Sequence, residues 1–195
     1  MRTTWNAATI GLLATACASG AGALVAAGCG DDDNGATTPK VDPPAKAPEG
    51  FRTIVNREAG LTVAVPRRWR ARPRGEVTVL RSPGRTVAIT IAADRSPAGR
   101  DTAPSQYARS TLEALPGFEG SIAAGGRQVD GTPYSSGLVT ARGTIDTSPR
   151  EQQIAVAALQ VPGQATFAAT VFGADRPRVI EQILASVRAG AAEAK

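Results

Sequence analysis

Ile154-Ala155-Val156-Ala157-Ala158-Leu159-Gln160-Val161 is apolar at both its even and its odd positions, with Gln160 the only polar residue in the run. A sheet with one wet face shows polar alternation, so a strand dry on both faces suits a central position covered on two sides. Working outward, 134–145 and 164–172 read as its neighbours in sequence, and 121–129 leads into 134–145 through the turn Asp130-Gly131-Thr132-Pro133. Further upstream the period is two: Leu61, Val63 and Val65 alternate with Thr62 and Ala64, and Val77 and Val79 follow. Ser82-Pro83-Gly84-Arg85 then turns the chain into Val87, Ile89 and Ile91, with 51–57 as an earlier strand.

Two helices punctuate these strands. Thr102 or Asp101 is placed to cap the first, with Pro104 in its first turn, a run to Leu115 and a stop at Pro116-Gly117; Ala108, Leu112 and Leu115 supply its inward face. Asp175 is placed to cap the second, where Val179, Ile180, Ile183, Leu184 and Val187 form one stripe at helical spacing. The expected order is four strands, helix, four strands, helix: an α+β fold, an antiparallel β-sheet with packed helices.

The N-terminal region has a different grammar. Arg2 is followed from Ala7 to Ala27 by an almost uncharged run of small and aliphatic residues ending in Ala26-Ala27-Gly28-Cys29, the shape of a secretory signal. It resembles the lipobox of bacterial lipoproteins, with Ala26 where Leu is usual and Leu24 and Val25 just upstream. That resemblance implies cleavage before Cys29 and lipidation of its thiol, a good nucleophile for a diacylglyceryl group. One acyl chain anchors a protein only marginally, whereas two on one residue, palmitate among them, hold it stably. Three other readings stay open: an uncleaved membrane span, weakly hydrophobic for that role; lipidation at Cys17; and a secreted protein with a free thiol.

After Cys29 the composition turns polar and Pro-rich. The 21 residues from Gly30 to Gly50 would reach roughly 60 Å if polyproline-like, and about 25 Å as a coil. Asp31-Asp32-Asp33 lacks the alternating acids and the closing Glu of a calcium loop. The expected organisation is therefore signal peptide 1–28, lipidated cysteine and linker 29–50, folded domain 51–190 and tail 191–195, on the extracytoplasmic face of a cell membrane.

Within the domain, Gly60-Leu61-Thr62-Val63-Ala64-Val65-Pro66-Arg67-Arg68-Trp69 near the start and Ile183-Leu184-Ala185-Ser186-Val187-Arg188 near the end, taken with the element order, resemble the Mog1/PsbP-like superfamily, in particular the LpqN/LpqT-type lipoproteins. The resemblance spans about 51–188 and implies an α/β/α sandwich. It also implies a binding or assembly factor for other proteins, and it offers no catalytic residue to carry over.

Composition narrows the chemistry. The chain has no histidine, and Cys29 is the only thiol beyond the leader, so Ser-His-Asp and Cys-His catalysis and histidine-ligated metals are excluded and no intrachain disulfide follows cleavage. No phosphate loop, nucleophile elbow or dinucleotide fingerprint is present. No cofactor, no metal and no catalytic residue is expected.

From Phe51 onward 19 basic residues face 12 acidic ones, a balance of +7 that favours anionic partners; outside a cell those are phospholipid headgroups and acidic polymers rather than nucleic acid. The concentrated feature is Arg67-Arg68-Trp69-Arg70-Ala71-Arg72-Pro73-Arg74, expected in a loop leaving a strand. Arg67, Arg68, Arg70, Arg72 and Arg74 can fork onto phosphates. Trp69 has two readings: a plug folded back onto the sheet, or an indole at a ligand or lipid interface. The expected function is a membrane-anchored, non-enzymatic binding or assembly factor of the cell envelope with a protein or amphiphile partner. The rivals are a carrier with a cavity between sheet and helix, and an enzyme of unknown chemistry.

Overall fold

A computed structural model describes residues 47–173 and 177–190, which lie in a compact unit spanning 38–195. The expected leader, Cys29, most of the expected linker, the expected Asp175 cap and the tail 191–195 lie outside the described residues.

The fold is α+β and every strand pairing is antiparallel. Strands β1 (Phe51–Asn56), β2 (Leu61–Pro66) and β10 (Arg188–Ala189) form a small sheet of order β1-β2-β10. The remaining strands are β3 (Arg70–Arg74), β4 (Val77–Arg81), β5 (Ala88–Asp94), β6 (Glu119–Ile122), β7 (Ser135–Ile145), β8 (Ser148–Val161) and β9 (Ala165–Phe172). They form a seven-stranded sheet of order β3-β4-β5-β9-β8-β7-β6. Helices are α1 (Pro97–Asp101), α2 (Pro104–Glu113) and α3 (Pro177–Ala185).

β8 lies in the interior of the large sheet, and its 154–161 stretch is dry on both faces as its composition requires. Ala155, Ala157, Leu159 and Val161 join a core with β2, with Ile89 and Ile91 of β5, and with Ile180, Ile183 and Leu184 of α3. Val156 and Ala158 point the other way and meet Ala108 and Leu112 of α2 together with Val139 and Ala141 of β7. Burying each of these larger aliphatic side chains contributes about 1.5–3 kcal/mol.

The observed order departs from expectation in four places. The first two strands leave the main sheet and build a separate one. Within the arginine segment 67–69 is the expected turn out of a strand, but Arg70–Arg74 is itself a strand rather than loop. The expected strand 121–129 is the short β6 plus one isolated bridge, Arg127 to Leu138. Two short elements, α1 and β10, had no periodic signal. Helix α2 also starts differently: Ala103 precedes it without a side-chain cap, and Thr102 closes α1 instead. Pro104 needs no N–H at the first helical position, so the helix can begin without a polar cap.

Side-chain hydrogen bonds tie the layers. Ser186 Oγ accepts from Ala64 N at 2.9 Å and donates to Ile183 O at 2.7 Å, fixing the end of α3 on β2. Thr166 Oγ1 donates to Gly99 O at 2.6 Å, holding α1 against β9.

Candidate functional site

Pro66 ends β2, and a tight turn follows in which Trp69 N donates to Pro66 O at 2.9 Å. The turn swings the indole inward: Trp69 is 3% exposed and belongs to the larger core. This corrects the reading of Trp69 as a ligand or interface contact, because a ring packed among aliphatic side chains is closed to solvent. Its carbonyl accepts from Arg52 Nη2 at 3.1 Å, which braces the turn against β1.

The five arginines are all exposed. β3 forms one edge of the large sheet, and its register sets Arg70 against Arg81, Ala71 against Leu80, Arg72 against Val79 and Arg74 against Val77. Cross-strand partners project to the same face, and successive residues to opposite faces. Leu80 is fully buried in the core, so Ala71 faces inward and Arg70, Arg72 and Arg74 all face away from it, about 6.7 Å apart along the strand. Val77 and Val79 share that outward face; Thr78 and Leu80 are the inward residues of β4.

Among the described residues, none of Arg67, Arg68, Arg70, Arg72, Arg74 and Arg81 has a carboxylate partner. The nearest acid in sequence, Glu76, is turned to Arg95. Pro73 leaves the free edge of β3 short of a donor, which guards it against pairing with another strand.

Polar groups elsewhere are committed to structure. Asn56 is buried: its Nδ2 donates to Gly75 O at 3.0 Å, Val77 O at 3.2 Å and Thr78 Oγ1 at 3.0 Å, and its Oδ1 accepts from Ala59 N at 3.1 Å. Asp94 accepts from Tyr107 Oη at 2.7 Å and from Ser96 N at 2.9 Å. Burial works to raise the Asp94 pKa, and the hydrogen bonds from Ser96 and Tyr107 together outweigh it, so the carboxyl sits below its ordinary value. Tyr107 is pushed well above the usual phenol range by burial, and then by its bond to, and the charge of, Asp94.

Two shallow open depressions lie near the other edge of the sheet. One, of about 350 Å³, involves Ser121, Thr140, Arg142 and Gln153; its neighbour involves Arg142, Glu151 and Gln152. No group of three or more His, Cys, Asp or Glu gathers among the described residues, and no described helix is long and apolar enough to cross a membrane. The interface between α2 and the sheet is filled by small side chains in contact, Ala108 and Ala158 both wholly buried.

Neither the family models nor the curated proteins include a match to this chain. Among solved structures, a protein of Bacteroides thetaiotaomicron is 11% identical with a TM-score of 0.49; the alignment covers 72% of this chain and 48% of that one. The chain thus spans about half the length of that relative. LpqN of Mycobacterium tuberculosis, a protein involved in cell envelope biogenesis, is 21% identical with a TM-score of 0.34, over 63% of this chain and 76% of that one. At these scores the likenesses carry no argument about function.

Proposed function

We propose that this chain is an extracytoplasmic lipoprotein of the Mog1/PsbP-like type, held at the outer face of the cell membrane by acyl chains on Cys29. Its domain acts there as a non-enzymatic binding or assembly factor of the cell envelope. The observation that carries the binding reading is a division of labour among polar side chains. Asn56, Asp94 and Tyr107 are spent on holding strands and helices together, while the guanidinium groups on the outward face of β3 have no carboxylate partner among the described residues. Catalysis needs convergent, poised groups; recognition of an anion or an acidic surface needs only exposed donors in fixed positions. The filled interface beneath α2 favours recognition at the surface over enclosed carriage of an amphiphile.

Intact-mass analysis of the mature polypeptide tests the anchor. An N-terminal Cys29 carrying at least two acyl chains is expected, and Cys29→Ala should release the protein from the membrane fraction. An unmodified terminus elsewhere overturns the placement. Cross-linking in native membranes then asks whether envelope proteins or amphiphiles lie against the domain.

A further inference from the structure

We propose that the open face of the large sheet formed by β3, β4 and β5 is a docking surface for the anionic phospholipid headgroups of a bilayer. The inference deepens the tethered-lipoprotein reading, on which it rests for the nearness of a membrane. Helix α2 covers β7 and β8 and reaches β9, α1 packs on β9, and both helices meet β5 at its last residue, Asp94; neither packs extensively on β3, β4 or the rest of β5. What the face presents follows from register. Arg70, Arg72 and Arg74 stand in a row beside Val77, Val79 and Arg81, and Thr90 lies opposite Val79 on the next strand.

This row is costly as a purely structural feature. Arg70 and Arg81 occupy directly opposed positions, and like charges so placed destabilise a sheet unless an anion lies between them. No described carboxylate fills that role. Protection of the free edge does not account for Arg81, which lies on the second strand. Arginines rooted about 6.7 Å apart along one strand can each fork onto a separate phosphate, which suits an array of headgroups better than a single small anion.

The point where the tether joins the domain agrees. Gly50 O accepts from Arg67 N at 2.9 Å, so the linker from Cys29 enters the fold directly beside the arginine segment. A chain anchored in lipid through that linker brings this end of the domain toward the bilayer first. The attraction is electrostatic, because Trp69 is buried and the apolar side chains on the face are small and half-buried; it therefore weakens with salt.

The test uses the full chain purified from membranes and reconstituted into vesicles of phosphatidylcholine alone, or with about a third phosphatidylglycerol, where each arginine near a charged surface gains favourable energy. Phenylglyoxal modification of individual arginines is read by mass spectrometry. On the mixed vesicles Arg70, Arg72 and Arg74 should react about tenfold more slowly than on neutral ones. Arg142 and Arg150, exposed toward the opposite edge of the sheet, should be unchanged, and molar salt should abolish the protection. Equal rates on both vesicles overturn the docking surface while leaving the anchor intact, provided the protein floats with neutral vesicles. Flotation and protection on mixed vesicles alone would uphold the face and remove the anchor; flotation with neither removes both. Equal protection by soluble glycerophosphoglycerol added to neutral vesicles would show a site for free anions and overturn the assignment to a bilayer.

Discussion

Tyr107 Oη donates to Asp94 Oδ2 at 2.7 Å, joining α2 to the last residue of β5. The same carboxylate receives the backbone of Ser96, whose hydroxyl in turn accepts from Gly99 N at the start of α1. One short network thus sets the path between sheet and helices. Tyr107→Phe should cost about 1 kcal/mol, below the usual range for a bond to a charged group because the pair is only half-buried. For a domain of this size that is roughly 2–4 °C in Tm. The pH dependence follows from the two shifts. Asp94 is lowered, so its contribution is present above its ordinary value of 3.8 and disappears as pH falls through the lower folded value. Tyr107 is raised, so its contribution is present below its ordinary value of 10.0 and declines as pH rises beyond it. Thermal melts of the two proteins should differ near neutrality and converge at both extremes.

Asn56 makes a second prediction because its amide bonds with both polarities in a buried site. Nδ2 serves three acceptors and Oδ1 one backbone donor. Asn56→Asp replaces the donor with an oxygen facing two carbonyls and a hydroxyl, so the loss should exceed that of an ordinary hydrogen bond, about 3 kcal/mol or more. The variant should recover part of that loss in acid, where a protonated carboxyl can donate again. A urea titration showing equal stability of variant and parent at neutral pH would rule out the network as a structural tie.

What the sequence discloses about this fold depends on how much each strand buries. β2, β5 and β8 announce themselves, because Val63, Ile89 and Val156 are fully or almost fully buried and their spacing records it. In β3 only Ala71 is partly buried and the other four residues are exposed, so no apolar period marks it. Its signal is inverted: arginine at every second position across 70–74, with a small residue and a proline between, is the pattern of an edge strand with one charged face. The separate sheet of β1, β2 and β10 is invisible for a different reason. β10 is two residues long and pairs with a strand some 120 positions earlier, a non-local contact that no local pattern encodes. The same limit applies to the candidate site. The cluster of arginines is plain in the sequence, but the inward turn of Trp69 and the opposition of Arg70 and Arg81 exist only once register is known.

Trp69 gives the third prediction. Its ring is almost wholly buried in the larger core, so Trp69→Ala should cost about 3–5 kcal/mol through lost burial and a residual cavity. The chain has one other tryptophan, Trp5, within the proposed signal peptide. Polypeptide cleaved before Cys29 should therefore show blue emission from Trp69 alone, shifting red in one step as guanidinium unfolds the core. Red emission from the native cleaved protein would place the indole in water.

A close approach of helix to sheet supplies the fourth. Gly137 on β7 lies under the first turn of α2, where an added methyl carbon would collide with Ser105 N, and would meet Ser105 Cα at 2.5 Å and Pro104 C at 2.6 Å. All three are backbone atoms that cannot rotate away, so alanine at this position must push the helix from the sheet. The contacts at risk are those of Ala108 and Leu112 with Val139, Val156 and Ala158, which make up the smaller core. Gly137→Ala should destabilise by about 1–3 kcal/mol, the usual range for overpacking. At Gly126 an added carbon would find its nearest neighbours at 3.4–3.5 Å, ordinary contact, and Gly126→Ala should leave stability nearly unchanged. Hydrogen exchange separates a local from a global effect. Amides of α2 should lose more protection than those of α3, which packs on β2 and belongs to the larger core. Equal loss in both helices would mean that α2 and the sheet open only with the whole domain.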